Sequence, residues 1–139
     1  MKKDCNKVEV KFYYNSSNDY PDTGRTEKDI EHGHYLLCKT IKFDNINDNE
    51  YLKNVLTEDP YYEINKSELI KYKSFVNCLC IIYINNIEKL RFTYSDSDDK
   101  YRLCNGKLIR RNKVYDDFCR FILFEYINND ISTLKWIFV

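Results

Sequence analysis

Glycine and proline are nearly absent: the 139 residues include 3 Gly and 2 Pro. So little glycine argues against the Gly-rich loops that cradle phosphates. Histidine is as scarce, with His32 and His34 the only 2, so any imidazole chemistry has one place to be. Neither sign of charge is in excess, with Lys plus Arg at 22 and Asp plus Glu at 22. A balanced chain has no global attraction to nucleic acid or anionic membrane, and only a local patch would supply one. No apolar run approaches the roughly 20 residues of a membrane-spanning helix. No apolar segment follows Met1-Lys2-Lys3-Asp4-Cys5, so neither a span nor a signal peptide is expected. Internal repeats and low-complexity linkers are also missing.

What is present is a globular composition. Hydrophobic residues make up 43% of the chain and aromatics 16%, with 13 Tyr and 8 Phe. That is enough for one domain with its own core. The 6 Cys would suggest a disulfide framework in an exported chain. Without an export signal they are expected to be reduced thiols, and the chain cytoplasmic. The abundance of Asn, Ile, Lys and Tyr matches AT-rich codons, as in a viral, phage or low-GC bacterial genome.

The chain is organised around residues 77–129. Asn77 to Ile84 is a short apolar run of β-forming residues, which suits a strand buried on both faces. Glu88 to Ser95 alternates, with Leu90, Phe92 and Tyr94 on one face and Lys89, Arg91 and Thr93 on the other. With Asn85-Asn86 as a two-residue turn, Tyr83 is expected opposite Glu88, Ile81 opposite Leu90 and Leu79 opposite Phe92. Asn105-Gly106 between strand-like runs is the strongest short hairpin signal in the chain. It pairs Cys104 with Lys107, Leu103 with Leu108, and Tyr101 with Arg110, whose guanidinium is placed over the Tyr101 ring. Val114 to Ile127 reads as a buried helix, with Asn112 as its N-cap and Asp116 and Asp117 at its positive end.

Upstream, Lys7 to Asn15 alternates as a strand, Ser16 to Arg25 is a loop, and Thr26 begins a short helix that Gly33 stops. His34 to Phe43 fits helix and strand almost equally, and strand is preferred for its β-branched residues. Asn47 and Glu50, spaced as a capping box, start a helix that Pro60 closes. A short helix over Ser67 to Lys73 and a last strand over Ile131 to Val139 complete the reading. The fold class is therefore α+β, a single domain. Its antiparallel sheet, a meander over 77–111, is packed by the buried helix 114–127, with N-terminal strands and one or two short helices.

Candidate functional residues are few. Arg91, Tyr101, Arg102, Lys107, Arg110, Arg111 and Lys113 form a candidate basic aromatic surface for phosphate or single-stranded nucleic acid. The competing reading is a solvated edge strand guarded by its cations. His32 and His34 make a candidate polar site. Cys38 beside them suggests a hydrolase, but nothing local activates the thiol. Cys78 and Cys80 project to one side, as soft-metal ligands do, yet their spacing fits no zinc pattern and small buried hydrophobes suffice. Asp96-Ser97-Asp98 begins like a calcium loop without its Gly or final Glu. Neither a cofactor nor a metal site is expected. The leading functional expectation is a small protein-binding inhibitor, of immunity or counter-defence type, that occludes a partner protein with its tyrosines and acidic loops. The alternatives are a nucleic-acid or nucleotide binder using the 101–113 hairpin, and a small hydrolase or metal-dependent enzyme around His32 and His34.

Overall fold

The computed structural model describes residues 7–15, 27–33, 35, 37–62, 78–95 and 101–127. These form an α+β domain built on one antiparallel sheet of six strands. The strands are β1 (Val8–Tyr14), β2 (Leu37–Phe43), β3 (Cys78–Ile84), β4 (Ile87–Tyr94), β5 (Tyr101–Cys104) and β6 (Lys107–Arg110). Their order across the sheet is β2-β1-β3-β4-β5-β6. The meander is as expected from the sequence, and β1 joins it by pairing with β3 while β2 folds back on β1. The helices are α1 (Glu27–Glu31), α2 (Glu50–Thr57) and α3 (Lys113–Ile122). The expected helix over Ser67 to Lys73, the loop over Ser16 to Arg25 and the last strand lie outside the described residues.

Both tight turns owe their shape to asparagine. Asn85 and Asn86 have φ of 52° and 68°, and Asn105 and Gly106 have φ of 52° and 77°. Two successive positive φ values give the turn whose twist matches a hairpin, and Asn and Gly reach that region with least strain. The second hairpin has the expected register, from Cys104 opposite Lys107 to Tyr101 opposite Arg110.

The first hairpin departs from expectation. Tyr83 does pair with Glu88, but the register then shifts, so that Leu90 meets Ile82, Phe92 meets Cys80 and Tyr94 meets Cys78. Lys89 is thus an extra residue on β4, a β-bulge. The shift costs no hydrophobic match, because every residue of β3 from Cys78 to Ile82 is buried on one face or the other. The bulged register gains shape. Across neighbouring strands one inward row reads Phe12, Cys80, Phe92, Cys104, and the next reads Tyr14, Cys78, Tyr94. Cys80 and Cys78 each sit between two rings, and Cys104 follows Phe92, so large and small side chains interdigitate.

Helices α2 and α3 cover this face. Leu52 and Val55 of α2 join Phe118, Cys119 and Ile122 of α3 in the core, all essentially inaccessible to solvent. The Phe92 ring meets Tyr115 at 4.8 Å and Phe118 at 6.1 Å. Asn112 caps α3 as expected by accepting from the Val114 backbone N–H, whereas α2 is capped by Asn49 rather than Asn47. Asn47 belongs instead to a preceding turn of 3-10 helix, Ile46–Asp48, capped by Asn45. Beyond α3 the backbone widens into a π-helical turn, Leu123–Ile127. There Lys39 Nζ donates to the Tyr126 carbonyl at 2.9 Å and ties the helix end to β2. On the opposite face α1 lays Ile30 over Tyr13, Leu79 and Ile81.

Replacing Cys80 with Leu puts extra methylenes between Phe12 and Phe92 and is expected to cost about 1–3 kcal/mol of stability. Urea denaturation measures the loss, and an unchanged midpoint would show that the slot is not tight.

Candidate functional site

The seven residues of the expected basic aromatic surface do not form one patch. Alternation along β5 and β6 sends Tyr101 and Arg110 to one side of the sheet, and Arg102 and Lys107 to the other. Arg102 is a correction to the sequence reading, for it is buried with a relative exposure of 1%. Its Nε donates to Asp116 Oδ1 at 3.3 Å, its Nη2 to the Ser95 carbonyl at 3.0 Å, and its guanidinium lies 5.5 Å from the Tyr94 ring centre. A charge so enclosed persists only with a countercharge and filled hydrogen bonds, which Asp116 and the backbone supply. Because Arg102 shares a face with Cys104, it points under α3, and no composition rule distinguishes it from its exposed neighbours.

Most of the other cations are also engaged with carboxylates. Arg111 donates to Asp116 Oδ2 at 3.3 Å, Lys113 pairs with Asp117 one turn on, and Arg120 holds Asp117 at 3.0 Å. Arg91 lies on the α1 face, in an ion pair with Glu31 at 2.8 Å and Glu88 at 2.8 Å. Hydrogen bonds from Arg91 hold both carboxyls below their usual range, against the opposing effect of burial.

Arg110 and Lys107 lie over aromatic rings, and the rings are ones that sequence reasoning missed. After Pro60 the chain runs along the β6 edge, where Tyr62 bridges to Ile109 and Arg110 N donates to the Tyr61 carbonyl at 3.4 Å. Arg110 lies 5.8 Å from the Tyr61 ring centre, and Lys107 lies 5.5 Å from that of Tyr62. The expected ring, Tyr101, stands opposite Arg110 on β5. Nothing local marks Tyr61 and Tyr62 except the extended backbone that a proline imposes on its neighbours.

A second aromatic surface lies on the helices. Tyr51 of α2 stacks on Phe121 of α3 with centroids 4.9 Å apart and planes 16° from parallel. Tyr51 is 44% exposed, and Phe124, in the π turn three residues beyond Phe121, is 72% exposed. Glu50, Lys53 and Glu125 beside them are exposed and polar. The sequence reading took the residues up to Ile127 as a helix buried on most sides, and the π turn is what turns Phe124 outward.

His32 and Cys38 are not among the residues of either aromatic surface. His32 is exposed at the end of α1, where its backbone N–H donates to the Lys28 carbonyl; His34 lies outside the described residues. Burial pushes the Cys38 thiol up, outweighing the nearby Lys11 and a hydrogen bond with Tyr13. Burial thus opposes the thiolate form that an activated nucleophile needs. Burial likewise raises Cys80 and Cys119 far up. None of Cys38, Cys78, Cys80, Cys104 and Cys119 is in a disulfide. Among the described residues no three His, Cys, Asp or Glu side chains group as metal ligands. Nor, among them, is any helix long and apolar enough to cross a membrane. No family model matches the chain, and no curated protein or solved structure is significantly similar to it.

Removing Asp116 takes from the buried Arg102 the carboxylate to which its Nε donates. Asp116→Ala is expected to cost about 3–5 kcal/mol, and the Arg102→Met, Asp116→Leu double variant to recover most of that. Urea midpoints of the three proteins check both statements. The Arg91 pairs give a pH signature. Because Glu31 and Glu88 are depressed in the folded state, their contribution is complete above the ordinary carboxylate range and is lost as pH falls through their folded values. The stability gap between wild type and Arg91→Met should therefore close on acidification from neutral pH, and a gap independent of pH would contradict this coupling.

Proposed function

We propose that the chain is a small cytoplasmic protein-binding protein that inhibits a partner protein by covering part of its surface, in the manner of an immunity or counter-defence protein. The observation that carries this reading is the aromatic shelf of Tyr51, Phe121 and Phe124. A phenylalanine 72% exposed, three residues beyond the stacked Tyr51–Phe121 pair, is an expensive surface to leave in water. Aromatic rings supply contact area with few rotatable bonds to freeze, which is why interfaces concentrate them. The polar neighbours Glu50, Lys53 and Glu125 suit the rim of such an interface. The π turn adds support, since such widenings recur at functional positions. Unpaired thiols at Cys38 and Cys80 are consistent with a reducing compartment.

The test is affinity capture followed by size exclusion, comparing wild type with Phe124→Ser and Tyr51→Ala. Both are surface substitutions expected to change stability by no more than about 0.5 kcal/mol. A partner held by wild type should bind Phe124→Ser at least about tenfold more weakly, as for an aromatic hot spot. A partner held equally by both variants, or a wild type that elutes alone, would remove the shelf as the interface.

A further inference from the structure

The sheet face that carries α1 also carries a hollow of about 270 Å³, lined by Glu9, Lys11, Thr40, Tyr83 and Asn86. Strand register builds it. Glu9 of β1 stands opposite Tyr83 of β3, and Lys11 of β1 stands opposite Thr40 of β2. Residues directly opposite in an antiparallel sheet, and residues two apart on one strand, project to the same side. Four side chains from three strands therefore converge, and Asn86 of the first turn, held at a φ of 68°, joins them. We propose that this hollow binds a neutral sugar ring, at a site separate from the helical shelf.

Each part of the lining suits that ligand. A pyranose presents apolar C–H faces and a rim of hydroxyls, each of which both donates and accepts. Tyr83 is half-buried and packs against the cluster of Tyr13, Ile30, Leu79 and Ile81, so an aromatic wall is held in place for a C–H face. The other side chains offer every kind of hydrogen-bonding group. Lys11 donates, Glu9 accepts, and Thr40 and Asn86 do both, so a rim of hydroxyls matches them all. Lys11 Nζ lies 5.8 Å from the Tyr13 ring centre, and its interaction with that phenol pushes the lysine pKa up. It is thus a charged donor at neutral pH.

Size and charge decide against other small ligands. The volume falls just below the roughly 300–1,000 Å³ of clefts that take drug-sized molecules, so the hollow suits one ring rather than a nucleotide. The lining holds one cation and one anion; Lys42, opposite Glu9 on β2, does not line it. A phosphate or a dicarboxylate would bring its charge against Glu9. A free amino acid carries both signs, but on neighbouring atoms. Glu9 and Lys11 leave the strand roughly 7 Å apart, and Lys11 is drawn away from Glu9 toward Tyr13. An uncharged ligand with hydroxyls spread around a ring meets both residues without either conflict.

Two-dimensional amide NMR of the full chain tests this, with glucose, galactose, mannose and N-acetylglucosamine titrated separately, and glycine and inorganic phosphate as comparison ligands. At least one sugar should give saturable shifts at residues 9, 11, 40 and 83, with a Kd on the order of 1 mM for so small a ligand. Tyr83→Ala should weaken binding at least about tenfold, while Tyr83→Phe, which keeps the ring, should stay within about twofold of wild type. Glu9→Gln and Asn86→Gly leave the ring in place and should each weaken binding about threefold; they decide the matter should Tyr83→Ala not fold. Phe124→Ser should bind sugar as wild type does, so failure of this site and failure of the shelf are read separately. The proposal is overturned if no sugar saturates, if the folded variants at Tyr83, Glu9 and Asn86 all bind as wild type does, or if glycine or phosphate binds more tightly than every sugar.

Discussion

The small thiols of β3 and β5 set how the layers of this protein meet. Cys80 lies between Phe12 and Phe92, and Cys104 lies on the far side of Phe92. Rings on all four strands would hold the helices off the sheet, and small residues on all four would leave cavities. Alternation leaves recesses into which α3 lowers Tyr115 and Phe118, and Tyr115 shares a hydrogen bond with the Cys104 thiol. The bulge at Lys89 follows from the same need, because without it Phe92 would face Leu79 and the ring-thiol rows would be lost. A fit of this kind adds little to gross hydrophobic burial but selects one register among several equally greasy ones.

A second constraint runs through Arg102 and Asp116. An ion pair beneath a helix is weak evidence of stability, since removing two charges from water offsets most of their attraction. Its consequence is geometric. Asp116 receives Arg102 from β5 and Arg111 from the strand exit, so the second hairpin and α3 have one mutual orientation. That orientation sets where β6 presents its edge to the chain arriving from Pro60, and hence where Tyr61 and Tyr62 lie. The placing of these two rings thus depends on a pair of charges that are almost wholly buried.

The contrast between what the sequence discloses and what it conceals follows interaction range. Strands announced themselves by period two, turns by Asn-Asn and Asn-Gly, and α3 by its cap, because each depends on residues within a few positions. The register of the first hairpin did not, since β3 is apolar on both faces and hydrophobic matching cannot tell adjacent registers apart. The cap of α2 was misplaced by two residues because Asn45, Asn47 and Asn49 offer equivalent side chains and only the backbone chooses. The expected basic patch drew together residues close in sequence, while strand alternation separates exactly such neighbours. Arg102 looked like Arg110 on paper; one lies under a helix and the other at an edge. The rings that Arg110 and Lys107 do meet come from some 45 residues upstream, a distance no local pattern spans.

Among the described residues, part of the chain's neutrality is local cancellation rather than absence of charge. Carboxylates at positions 31, 88, 116 and 117 each answer a named cation, and such pairing suppresses the long-range field that would steer a polyanion from afar. Contact at the surface then falls to short-range forces, in which rings lose little entropy and keep their orientation. The exposed rings divide between two supports. Tyr51 and Phe124 ride on helices packed over one sheet face, and Tyr61 and Tyr101 stand at the sheet's far edge. The supports share the core but no side chain.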